Sequence, residues 1–111
     1  MVEYIRVTKK IISMIEELGK VGIKIMLVLY KGKGRKYIAE ILKEGDISPS
    51  SIYRGLSVLA DFGLIYYEDE YGRKFVNLTD PGWIVAEHLC KADQAVIKAK
   101  KTRLSQLKGS G

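Results

Sequence analysis

The hydrophobic and polar positions change period several times along this chain, and each change marks an element. In Val2–Leu18, Ile5, Ile12 and Ile15 recur at helical spacing with Ile11, Met14 and Leu18 beside them. Arg6, Lys9, Lys10, Glu16 and Glu17 take the other side, so the spacing predicts an amphipathic helix. Gly19 and Gly22 are expected to bracket its end. Ile23–Tyr30 (IKIMLVLY) is a continuous apolar run that fits a buried helix or a strand, and the elements after it in the chain favour helix. Lys31–Lys36 (KGKGRK) has two glycines and no hydrophobic residue, and reads as a loop. Tyr37–Glu44 reads as a short helix with Ile38, Ile41 and Leu42 inward, and Gly45 and Asp46 turn the chain.

Ser48 then occupies an N-cap position, and Pro49 comes next, where a missing N–H costs nothing. On a 3.6-residue wheel Ile52, Leu56 and Leu59 form one stripe, while Ser50, Tyr53, Arg54, Ser57 and Asp61 fall opposite. Gly63 should end this helix. Leu64–Asp69 and Lys74–Leu78 are rich in aromatic and β-branched residues and flank Glu70-Tyr71-Gly72-Arg73, the pattern of a hairpin. Thr79-Asp80-Pro81-Gly82 is a second helix start. From Trp83 to about Leu107 neither proline nor glycine interrupts. Val85, Leu89, Ala92, Val96 and Ala99 repeat in a four-three spacing that fits a helix-on-helix seam.

Composition adds little until charge is placed. The 111 residues suit one domain with an appended arm, and at 47% hydrophobic they can bury a core. The one cysteine, Cys90, excludes an internal disulfide, and with no signal-peptide pattern an intracellular protein is expected. The apolar run Ile23–Tyr30 is too short for a membrane span. The net charge is +6, but KGKGRK contributes +4 and Lys91–Lys108 contributes +5, leaving the remainder at −3. Positive charge concentrated in one loop and one tail suits a polyanion, and equally suits two solvated segments.

The order helix, helix, helix, hairpin, long helix decides between them. A short helix, a turn and a capped second helix make a helix-turn-helix, and the hairpin after it is in the place of a wing. Residues 20–82 thus resemble the winged helix-turn-helix domains of prokaryotic and archaeal transcription regulators. SIYRGLSVLADFGLI and YGRKFVNLTDPG are most similar to the PadR family, in which a YR-x-L-x-x-L-x-x-x-GLI helix leads into a wing and an LT-x-x-G turn into the last helix. MarR and ArsR regulators share the outline. The extra N-terminal helix and the strongly basic loop depart from PadR chains. A long terminal helix beside a winged helix is also similar to small archaeal chromatin proteins that dimerise by coiled coil. The fold expected is mainly α with a small β-hairpin wing. Its parts are an N-terminal helix at 1–19, a winged helix at 20–82, a C-terminal helix with a basic tail at 83–108, and a disordered or vector-derived end at 109–111.

The function this implies is sequence-specific binding of double-stranded DNA by a dimeric regulator, cytoplasmic and nucleoid-associated. The helix 48–62 would enter the major groove, with Ser50, Ser51, Tyr53, Arg54 and Ser57 on the approaching face. Short hydroxyls permit close approach, and Arg54 can reach guanine or a phosphate. Ser48 can cap its own helix or donate to phosphate beside the free backbone N–H groups. Lys33, Arg35 and Lys36 would neutralise phosphates; at the wing Arg73 would enter a minor groove and Lys74 touch the backbone, with pairing to Glu68, Asp69 and Glu70 an equal alternative. Ile5, Ile12, Ile15, Val85, Leu89 and Val96 are the candidates for dimerisation.

Two other readings stay open. One is an architectural or plasmid-partition protein coating DNA with little sequence preference; the other is a winged-helix adaptor between proteins. His88 and Cys90 on one helix do not make a metal site, and no nucleophile–base–acid grouping is visible. No enzyme activity, cofactor, small-molecule ligand or membrane partner is expected.

Overall fold

The computed structural model describes residues 14–109. Ile5, Ile12 and most of the helix expected at Val2–Leu18 therefore lie outside the described residues. The described end of that segment, Ile15–Leu18, is a single 3-10 turn, and Ile15 is exposed. Helix α1 runs Gly19–Lys31, so Gly19 opens a helix where it was expected to close one. Its φ of 71° lets the chain turn sharply out of the 3-10 segment. Gly22, expected beyond a helix end, is buried within α1.

The apolar run settles as helix because three elements surround it. Ile25, Met26 and Leu29 are fully buried, with α2 (Ile38–Gly45), α3 (Pro49–Asp61) and α4 (Asp80–Gly109) packed around them. A helix hydrophobic on most of its circumference is what a central position requires. Ile41, Ile52, Leu56, Leu59, Val76, Leu78 and Ala86 complete the core from the surrounding elements.

The KGKGRK segment is a loop only in part. Gly32, Lys33 and Gly34 turn the chain, and Arg35–Tyr37 then forms a strand, β1, which was not expected. The hairpin strands are β2 (Ile65–Glu70) and β3 (Arg73–Leu78), and the antiparallel sheet runs in the order β1-β3-β2. Arg35 lies opposite Asn77, and Tyr37 opposite Phe75. No apolar alternation announces a strand this short; the free edge of β3 recruits it. The hairpin turns at Tyr71 and Gly72, both at positive φ, as a two-residue turn between right-twisted strands requires.

One joint ties the wing to the last helix. Thr79 Oγ1 accepts from the Gly82 N–H at 3.0 Å and donates to the Gly63 carbonyl at 2.7 Å, so it caps α4 and the end of α3 together. The Thr79 N–H donates to the Leu64 carbonyl, against which Gly82 packs so closely that a Cβ there would collide with it. Ala86 and Cys90 of α4 are buried, and Val85 and Leu89 are half-buried against the same core. Ala92, Val96 and Ala99, expected to continue a seam with Val85 and Leu89, are exposed on the protruding half of the helix.

The α1–α3 contact yields a stability test. Gly55 lies against Val21 and Ile25, and a Cβ there would come 2.7 Å from Val21 Cγ1. Gly55→Ala should therefore destabilise by ~1–3 kcal/mol through overpacking. Leu56→Ala, at a site only 1% exposed, should cost ~2–5 kcal/mol through the cavity it leaves. Urea denaturation of both variants measures the two effects.

Candidate nucleic-acid interface

Helices α2 and α3 are joined by the short turn Asp46–Ser48, in which Asp46 adopts φ 50°. Glu40 Oε1 accepts from the Tyr37 N–H at 3.0 Å and caps the start of α2. Helix α3 turns Ile52, Gly55, Leu56 and Leu59 into the core. Ser48, Ser50, Tyr53, Arg54 and Ser57 are exposed, and Ser51 is half-buried. The wheel therefore assigned the two faces of this helix correctly.

Ser48 sits at the N-cap with extended backbone, but its side chain does not cap the helix. Its hydroxyl donates to Ser51 Oγ at 2.8 Å and lies 3.2 Å from Ser50 Oγ. Three hydroxyls are thus linked to one another at the helix start, and the side-chain cap expected there is absent. Ser50, Ser51 and Arg54 also line a cleft with Glu17 of the 3-10 turn and Lys20, Val21 and Gly22 from the start of α1.

The sheet register sorts the wing. Ile65, Tyr67 and Asp69 pair with Leu78, Val76 and Lys74, and Ile65, Val76 and Leu78 are buried. Tyr67, Asp69 and Lys74 therefore extend the core face of the sheet outward. Tyr67 on this face also feels Tyr53 of α3 electrostatically. Burial pushes the Tyr67 hydroxyl up, and Tyr53 adds to the shift. Lys74 Nζ lies 5.4 Å from the centroid of the Tyr67 ring. The sequence marks Tyr67 only as one of the aromatic residues of the first hairpin strand. The signal that could have found it is its even spacing from Ile65 along β2.

The opposite face of the sheet holds a different arrangement. Arg35 reaches across Phe75, with its guanidinium 3.6 Å from the ring centroid, to pair with Glu70 and, at 3.7 Å, with Glu68. Its pKa is raised, first by the hydrogen bond to Glu70. Lys36 Nζ pairs with Glu44 at 2.9 Å and Glu40 at 3.8 Å, and its pKa is raised first by the Glu44 hydrogen bond. Both residues, expected as open phosphate contacts, are engaged within the fold. Among the described residues Glu68 and Glu70 of the wing pair with Arg35 and not with Arg73 or Lys74, and Asp69 forms no ion pair. Arg73 instead lies over the Tyr37 ring at 4.7 Å. Lys33, exposed at φ 61°, stands beside Trp83, Ile84 and Glu87 at the start of α4. Ser48, Ser50, Ser51, Tyr53, Arg54 and Ser57 thus lie together on α3, with Ser50, Ser51 and Arg54 in the cleft beside the start of α1. Lys74 lines a separate pocket with Arg73, Tyr37, Ile38, Ala39 and Glu40.

Among the described residues no group of three or more His, Cys, Asp or Glu side chains could hold a metal ion. None of the described helices is long and apolar enough to cross a membrane.

The tyrosine contact can be tested directly. Removing the Tyr53 hydroxyl, as Tyr53→Phe, should lower the pKa of Tyr67 part of the way, leaving the larger share set by burial. Tyrosine ring resonances followed by NMR from neutral to alkaline pH report the change. The Arg35 pairs should contribute little to stability because they are solvated. Replacing Glu68 and Glu70 by Gln should leave the urea midpoint nearly unchanged at physiological salt.

No protein-family model and no curated protein sequence matches the chain. Solved structures do. The apo form of a Lactococcus lactis ZitR mutant superposes with a TM-score of 0.72 at 17% identity, over 94% of this chain and 80% of that one. A transcriptional regulator homologue from Pyrococcus horikoshii OT3 gives 0.60 at 25% identity, over 89% and 97%. Sso10a-2, a DNA-binding protein from Sulfolobus solfataricus, gives 0.57 at 18% identity, over 77% and 93%.

Proposed function

We propose that this chain, a winged helix-turn-helix with α2 and α3 as its two helices and the β2–β3 hairpin as its wing, binds double-stranded DNA as a sequence-specific, dimeric transcription regulator. Helix α3 lies in the major groove and the wing lies against the adjoining backbone. One observation carries this reading: the exposed face of α3 is chemically equipped and unoccupied. Among the described residues Arg54 and Ser57 have no intramolecular partner, whereas Arg35 and Lys36 are engaged. Neighbours in fold whose names describe DNA binding or transcriptional regulation support it.

In this reading Arg54 reads a base edge, because it lies one turn inside the helix, where a side chain meets the groove floor. Ser48, Ser50 and Ser51 donate to phosphate at the helix start. Tyr53 and Tyr67 fill the angle between helix and wing, and Lys74 neutralises a phosphate beyond them. Lys33 and Arg73 remain candidates for backbone contact on surfaces further out. Arg35 and Lys36 can contribute only if phosphate displaces the carboxylates that hold them. The same chain would work on the nucleoid in the cytoplasm.

The dimer rests on α4. Val96, Ile97 and Leu104 on its protruding half are 68%, 46% and 49% exposed. Apolar residues recurring along one helix mark a surface that another element covers. Val85 and Leu89 are already half-covered by the chain's own core, which moves the dimer contact outward along the helix. Ile15 is exposed and available to the same contact.

Binding to random duplex DNA, compared with sequence pools enriched on the protein at stated salt, tests the proposal. A ratio of ~10³ or more is expected for a regulator. A ratio near one gives the architectural reading instead, and no binding to either DNA gives the adaptor. Arg54→Ala should cost ~1–3 kcal/mol on the preferred site and much less on random DNA. Lys74→Ala should weaken both alike and lower the salt slope by about one. Light scattering should give twice the 12.5 kDa chain mass.

A further inference from the structure

The distal half of α4 carries a cationic surface that the face of α3 leaves unused. After Asp93 the chain has five basic residues and no acid. Lys91, Gln94, Lys98, Lys101, Ser105 and Lys108 recur at alternating steps of three and four. At about 100° per residue they fall within a band about 100° wide, and every one of them is polar. Val96 and Leu104, which belong to the proposed dimer contact, lie outside this band, so an element covering them leaves it open.

Ion pairing separates the band from the rest of the molecule. Arg35 is held by Glu68 and Glu70, and Lys36 by Glu40 and Glu44. Lys91, at the head of the band, pairs with Glu87 at 3.4 Å. Beyond it Lys98 and Lys101 are exposed and form no ion pair among the described residues. They stand three residues apart on one face, where like charges repel. A helix face that serves only solubility intersperses both signs, and this one carries a single sign.

A polyanion supplies the missing charge. From Lys91 to Lys108 the band is about 26 Å long at a rise of about 1.5 Å per residue. Duplex DNA lying beside it presents one negative charge per ~1.7 Å of its axis. Gln94 and Ser105, exposed between the lysines, can donate to phosphate oxygens. A bilayer suits the helix less well, because Asp93 and Lys100 fall among the apolar residues that would have to enter it. We infer that this band is a second, sequence-independent site for duplex DNA, distinct from the face of α3. It holds DNA through phosphates alone and leaves sequence preference to α3.

Neutralising the band in the full chain tests it. The triple variant Lys98→Gln, Lys101→Gln, Lys108→Gln should bind random duplex DNA ~10-fold or more weakly at low salt. Its salt slope should fall by about two to three, at ~0.9 per lost phosphate contact. Glutamine is close to lysine in helix propensity, and circular dichroism confirms that each variant is folded. A control, Lys24→Gln, Lys31→Gln, Lys43→Gln, removes the same charge from α1 and α2 and should stay within about threefold of the parent. Equal loss in both triple variants means that net charge acts and the band does not, which overturns the inference. An unchanged affinity and salt slope in the band variant overturns it too.

An Arg54→Glu background separates the two sites. There α3 repels phosphate, random duplex should still bind, and adding the three band substitutions should abolish that binding. If Arg54→Glu abolishes it alone, there is no second site. If Arg54→Glu still selects an enriched sequence, the role proposed for α3 fails while the band stands. Vesicles of anionic phospholipid should not sediment the parent protein. Sedimentation with vesicles and no binding to duplex DNA makes the band a membrane contact and overturns the inference.

Discussion

The close approach of α3 to α1 is the constraint on which the interface depends. Gly55 on α3 lies against Val21 and Ile25, and Gly22 on α1 lies against Leu59. With a glycine on each helix at the crossing, α3 sits against the buried helix instead of standing off by a side chain. Ile52, Leu56 and Leu59 then reach the core, which leaves only the polar stripe outside. The exposed face of α3 is thus set by packing: it is whatever the helix does not bury against α1.

A second constraint sets the angle between that surface and the wing. Thr79 links the end of α3 to the start of α4, and the Leu64 carbonyl accepts the Thr79 N–H in the same joint. Because β2 begins at Ile65, one residue beyond this joint, the hairpin has little freedom to swing relative to α3. On the other face, Arg35 lying over Phe75 and paired with Glu68 and Glu70 joins β1 to β2 across β3. Such solvated pairs add little stability. They do hold cationic charge within the protein, so the interface is less basic than the sequence makes it look.

Net charge is therefore a poor map of this molecule. The +4 of KGKGRK becomes a tight turn and a paired strand. The +5 of Lys91–Lys108 lies along a helix that extends away from the core. What identifies the groove is instead a set of short polar side chains around one arginine, on the helix that the fold presents.

The sequence by itself determined the helix-turn-helix, the hairpin and the last helix. Pro49, Gly63, Tyr71-Gly72 and Thr79-Asp80-Pro81 act through their own backbone preferences, and a period of 3.6 fixes which side of Ser48–Phe62 is apolar. Tertiary structure decided whatever needed a partner distant in sequence. Ile23–Tyr30 became helix because three elements surround it, and Arg35–Tyr37 became strand because β3 offered an edge. Lys36 and Arg35 left the candidate interface because carboxylates 8 and 35 residues away were brought beside them. Along α4 the core half-covers Val85 and Leu89 and leaves Ala92, Val96 and Ala99 exposed, a division that their regular spacing does not announce. Local backbone preference is written residue by residue, whereas burial and ion pairing are properties of two places at once.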